Sequence, residues 1–218
     1  MRLLPFALLL TGCPASVTAE GLDDGFGMPI SAVRTHIVSD NGDADYVVIS
    51  SVGDLCTKEV AFSEASSAFF TASEDVLSQH YCKNLEQPFT DYVEAVQAMQ
   101  FKGATYVSLS VGTDFDEGEY GFGKDASGTV AAYDDTPFEG AIDDFDPEGS
   151  VLDVCGLGTV DTDQGNYWDL DDGSVTLDSV VDEGVTSGSA DGTMMTDSGK
   201  ADGDFQANFS AAWCEIKL

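Results

Sequence analysis

Cations are scarce in this chain. Eight Lys and Arg and two His stand against 40 Asp and Glu, a formal charge of −32. A surface that acidic repels nucleic-acid phosphates and anionic head groups, so both are poor partners and cations are better ones. Long apolar runs are missing as well. The stretch from Leu3 to Leu10 is far shorter than the roughly 20 residues a spanning helix needs. No cysteine pair has C-x-x-C spacing, which argues against a zinc knuckle or a thioredoxin-type centre. There is no phosphate loop and no G-x-G-x-x-G. The nearest approach to a nucleophile elbow, Gly184-Val185-Thr186-Ser187-Gly188, has its serine one place late.

What is present argues for a folded domain. High negative charge often marks a disordered tail, but 43% of the residues are hydrophobic and they are spread along the chain. The acids therefore decorate a core.

The first thirteen residues carry one cation, Arg2, then the short apolar run, then Thr11, Gly12 and Cys13. That order is an export signal and lies outside the fold. Leu10-Thr11-Gly12-Cys13 resembles the lipobox of bacterial lipoproteins. The resemblance implies that residues 1–12 are a signal peptide and that Cys13 becomes a mature N-terminus carrying acyl chains of the palmitate kind. It further implies a location in the cell envelope, facing the periplasm or the cell exterior, with the membrane reached through lipid. Each buried CH₂ contributes about 0.8 kcal/mol, so such chains hold a soluble domain without an apolar span. Polar, glycine-bearing residues 13–27 read as a flexible tether.

Four cysteines remain: Cys56, Cys82, Cys155 and Cys214. An even count in an oxidising compartment predicts two disulfides, with three connectivities possible. Pairing within each half, Cys56 with Cys82 and Cys155 with Cys214, is the favoured one.

Periodicity predicts a mainly β fold with an α+β N-terminal segment, residues 28–112, and an antiparallel β-domain, residues 113–218, built as a sandwich or barrel-like meander. In the first segment, the runs 30–39 and 46–52 flank Asp40-Asn41-Gly42-Asp43 as a hairpin does. Residues 57–81 show no clean period. Phe89, Tyr92, Val93, Val96 and Met99 follow helical spacing, and residues 104–111 alternate as a half-buried strand. After Gly112 come short β-type runs at 120–122, 128–133, 150–160, 174–181, 185–194 and 204–213, separated by acidic glycine turns. The closing pattern, Gly173-Ser174-Val175-Thr176-Leu177-Asp178 through Ala212-Trp213-Cys214, resembles the C-terminal meander of uncharacterised myxobacterial-type envelope lipoproteins, a resemblance that implies location and no activity.

Few constellations carry chemistry. Asp144, Asp146, Glu148 and Gly149 match the opening of a calcium loop, but Cys155 stands where the bidentate acid belongs, so solvated acidic turns are the expected reading and calcium the sharper one. Asp161, Asp163, Asn166, Asp169, Asp171 and Asp172 form a second oxygen-rich stretch, without the required Gly and Glu. His36 falls in an expected strand and His80 beside Cys82, neither near an activated serine. Tyr167, Trp168 and Trp213 could make an aromatic platform for a glycan or peptide, though packing is the commoner use. The expectation is a lipid-anchored envelope protein with a non-catalytic binding or structural role toward a protein or glycan. A calcium-stabilised adhesion or carbohydrate-binding module is the alternative, and a secreted hydrolase a distant one.

Overall fold

The computed structural model describes residues 13–19, 31–38, 43–79, 82–112, 115–133 and 165–217. The fold is mainly β, as expected. Its strands are β1 (Cys13–Ala19), β2 (Ser31–Val38), β3 (Ala44–Ser50), β4 (Thr105–Val111), β5 (Gly118–Gly121), β6 (Ala126–Tyr133), β7 (Gly165–Ser179), β8 (Thr186–Met195) and β9 (Ala201–Lys217). Two helices, α1 (Leu55–Gln79) and α2 (Glu86–Met99), lie between β3 and β4.

Hydrogen bonds lead from β2 through β3, β4, β6, β7, β8 and β9 back to β2, with β1 wedged between β2 and β9. These eight strands make one near-closed ring, and the short β5 adds to β7. Among the described strands every pairing is antiparallel except the seam, where Val33–Val38 run parallel to Ala212–Lys217. Closing a sheet on itself removes the unpaired edges that invite association.

Alternation decides which side chains fill the ring. Register aligns Ala32 with Ile49, Ile49 with Val107, Val107 with Val130 and Val130 with Trp168, so one inward residue meets the next across the strands. Leu170 continues to Met194, and Val175 through Ala190 to Ala207. All belong to one buried cluster that also takes Phe122, Phe205 and Phe209. The outward positions of β9 are exposed Asp204, Gln206 and Asn208, which is why the strand reads as clean alternation.

The helices cover one flank of the ring. Leu55 and Met99 join Val33, Val48, Ala131 and Cys214 in a second cluster, on the face opposite to the interior. A third, Phe69, Leu85 and Phe89, fixes α1 against α2, with Phe69 stacked on Tyr92 at 5.1 Å. Side-chain bonds tie the end of β3, which leads into α1, to the start of β4: Ser50 Oγ donates to Thr105 O at 2.7 Å, and Thr105 N to Ser51 Oγ at 3.0 Å. No helix among the described residues is long and apolar enough to cross a membrane.

Three expectations differ from this architecture. Residues 13–19 are not tether but strand β1. The composition change after Gly112 is not a structural division, because β4 pairs with β6 and β2 with β9 in the same sheet. The within-half disulfide pairing also fails: Cys56 is bonded to Cys214 across 158 residues. The ring brings the last strand against the flank covered by α1, so distance in sequence is no guide to distance in space. Cys82 is disulfide-bonded as well.

Candidate ligand pocket beneath the first helix

α1 lays Leu55, Glu59, Phe62 and Phe69 along one face, at spacings of four, three and seven that share a side of the helix. Leu55 and Phe69 are buried and apolar, whereas Glu59 is an acid in the same stripe, only 6% exposed. It borders a partly open cavity of about 150 Å³ lined by Phe62 of α1, Met99 and Gln100 at the end of α2, Tyr106 of β4 and Tyr133 of β6. A single water needs roughly 10–15 Å³ of such space, so the cavity holds more than a bridging water.

The polar inventory is unbalanced toward acceptors. Tyr106 donates a hydrogen bond to the Glu59 carboxyl. Glu59 Oε1 and Gln100 Oε1 are buried and accept nothing. Unmet buried acceptors are uncommon and each asks for a reason. Burial pushes the Glu59 carboxyl up to about 7, against the smaller opposing effect of the Tyr106 hydrogen bond. The ionisable groups around it are tyrosines: Tyr46 of β3, Tyr106 and Tyr133, all raised chiefly by burial and further by the charge of Glu59. Tyr133 is held from behind by a hydrogen bond with Tyr167 and an edge-on ring contact at 6.1 Å. Phe62 is backed by Tyr92 at 6.1 Å. The pocket walls are thus fixed by second contacts, as a preformed site requires.

A second polar cluster closes one mouth of the ring. Arg34, 7% exposed, bonds Asp45 Oδ1 through Nε at 2.9 Å, and His36 Nδ1 meets Asp45 Oδ2 at 3.1 Å. The guanidinium lies over the rings of Phe115 and Trp213, 4.5 and 4.8 Å from their centroids, and His36 stacks on Trp213 at 4.9 Å. The guanidinium is thus stacked on two rings and paired through Nε, while its Nη1 is buried with no hydrogen-bond partner.

The residues singled out in the sequence are dispersed. Cys13 opens β1 opposite Ala32. Trp168 is buried inside the ring, its Nε1 donating to Asp202 at 2.8 Å, while Trp213 packs at the mouth and Tyr167 lies beside Tyr133, so the three form no common platform. His36 is the strand residue expected, with Asp45 as its partner. Asp144, Asp146, Glu148, His80 and Cys155 lie outside the described residues. Among the described residues no group of three His, Cys, Asp or Glu could hold a metal. Glu59 escaped sequence reading because 40 acids hide one. Its signal was position, an acid four residues after Leu55 and three before Phe62 on the face that also carries Phe69. Compared with protein-family models, with curated proteins and with solved structures, the chain finds no match in any of the three.

Proposed function

We propose that this chain is a lipid-anchored protein of the cell envelope whose domain has a non-catalytic binding role, with the pocket at Glu59 as its binding site. The anchor rests on Leu10-Thr11-Gly12-Cys13, where a short apolar run meets Gly-Cys. The binding role rests on one observation: a cavity of about 150 Å³ lined by rings and by two buried oxygens that no protein donor satisfies. Few convergent polar groups in a largely apolar hollow are the usual make-up of a small-molecule site.

Intact-mass spectrometry of the membrane fraction tests the anchor. The wild-type mass should begin at Cys13 and carry acyl chains, and Cys13→Ser should lose them. An unlipidated wild-type chain beginning further on, near Glu20, would overturn the anchor.

A further inference from the structure

We infer that the cavity beneath α1 takes a small organic ammonium ion, a primary or methylated amine, with the Glu59 carboxylate as its counter-ion. The inference rests on the binding role proposed above and gives it a ligand class.

The lining selects by chemistry. Glu59 Oε1 and Gln100 Oε1 are acceptors with nothing to accept, so the missing partner is a donor or a cation. An anion would meet the carboxylate of Glu59 and is disfavoured. A hard metal ion wants six or more oxygens, and the other linings are Phe62, Met99, Tyr106 and Tyr133. Aromatic faces attract ammonium groups, more strongly where water is excluded, and a thioether packs softly against alkyl groups. Rings for the alkyl shell and two oxygens for N–H or N⁺ describe an organic ammonium. The strongly negative surface raises the local concentration of such ions.

Protonation gives the binding a signature. Burial favours the neutral acid of Glu59, whereas a bound cation favours the carboxylate. Loading therefore expels a proton when it starts from the neutral acid, and affinity climbs as pH rises toward and through about 7. Tyr46, Tyr106 and Tyr133, the ionisable groups facing Glu59 from β3, β4 and β6, are raised and stay neutral through this range.

The test uses tert-butylammonium chloride and its neutral counterpart tert-butanol, titrated calorimetrically into the whole domain. Salt of about 0.5 M reduces the reach of surface charge to a few ångströms, which removes loose attraction to the acidic exterior. The expected result is saturable binding of the ammonium at pH 8, at least tenfold tighter than the alcohol, and weakened tenfold or more at pH 5.5 and in Glu59→Gln. Chemical-shift mapping on the wild type needs no variant to fold, and perturbations centred on Met99 and Phe62 support the site. Equal binding of the alcohol overturns the ammonium while keeping the pocket as a ligand site. Shifts scattered over the acidic strands, or no saturable binding, overturn the site itself, and neither result bears on the acyl anchor.

Discussion

Replacing Glu59 by Gln should make the ligand-free protein more stable at pH 8.5 and leave it nearly unchanged at pH 4. The folded state raises this carboxyl from 4.5 to about 7, so between those values the folded chain binds more protons than the unfolded one. A group raised on folding contributes its stability below the unfolded value and loses it as pH climbs through the folded value. At about 1.4 kcal/mol per tenfold change, ionising Glu59 in place costs roughly 3 kcal/mol above pH 7. Gln keeps the shape and an oxygen to accept from Tyr106, and it carries no charge to desolvate. For a domain of this length each kcal/mol shifts the melting temperature by about 2–4 °C, so the variant should melt roughly 6–12 °C higher at pH 8.5. The other 39 acids titrate in both proteins, and the difference between their pH profiles therefore isolates Glu59. Thermal melts by circular dichroism at half-unit pH steps read it directly. A variant less stable than wild type at pH 8.5, or a difference that stays flat with pH, would refute the reasoning.

Other perturbations probe the frame. Asp45→Ala strands the buried Arg34 guanidinium and should cost about 3–5 kcal/mol by urea unfolding, more than the same change at exposed Asp204. Gly188→Ala puts a methyl against the Thr176 carbonyl and the Phe209 ring and should destabilise by about 1–3 kcal/mol, read as a lower denaturation midpoint. Opening the Cys56–Cys214 bond releases a 158-residue loop, for which chain entropy gives roughly 5 kcal/mol; Cys56→Ser with Cys214→Ser should show that loss by calorimetry. Non-reducing peptide mapping should identify the partner of disulfide-bonded Cys82, and the proposed acylation of Cys13 excludes a Cys13–Cys82 peptide. A Cys13–Cys82 peptide would instead remove the lipid anchor.

The elements whose burial follows a period were legible in the sequence. The stripe from Phe89 to Met99 marks α2 (Glu86–Met99), and the alternation around Tyr106 to Val111 marks β4 (Thr105–Val111). Helix α1 was not legible, although it is the longest element, because Glu59 and Ser66 interrupt the stripe of Leu55, Phe62 and Phe69. The acid that makes the pocket is thus also what breaks the helical pattern. Disulfide connectivity and the unity of the sheet were invisible for a different reason. Both depend on the parallel seam between β2 and β9, and no local pattern encodes which distant strand becomes a neighbour.

That seam also imposes an order of events. Val33 waits for Ala212 and Val38 for Lys217, so a chain appearing from its N-terminal end has β2 ready long before the strand that covers it. Until then the edge of β2 is open, and contacts this distant in sequence form slowly. Dense negative charge keeps neighbouring half-made copies apart during the wait. The acidity of this chain, most of which faces water in the finished molecule, has a separate use in the interval before the ring closes.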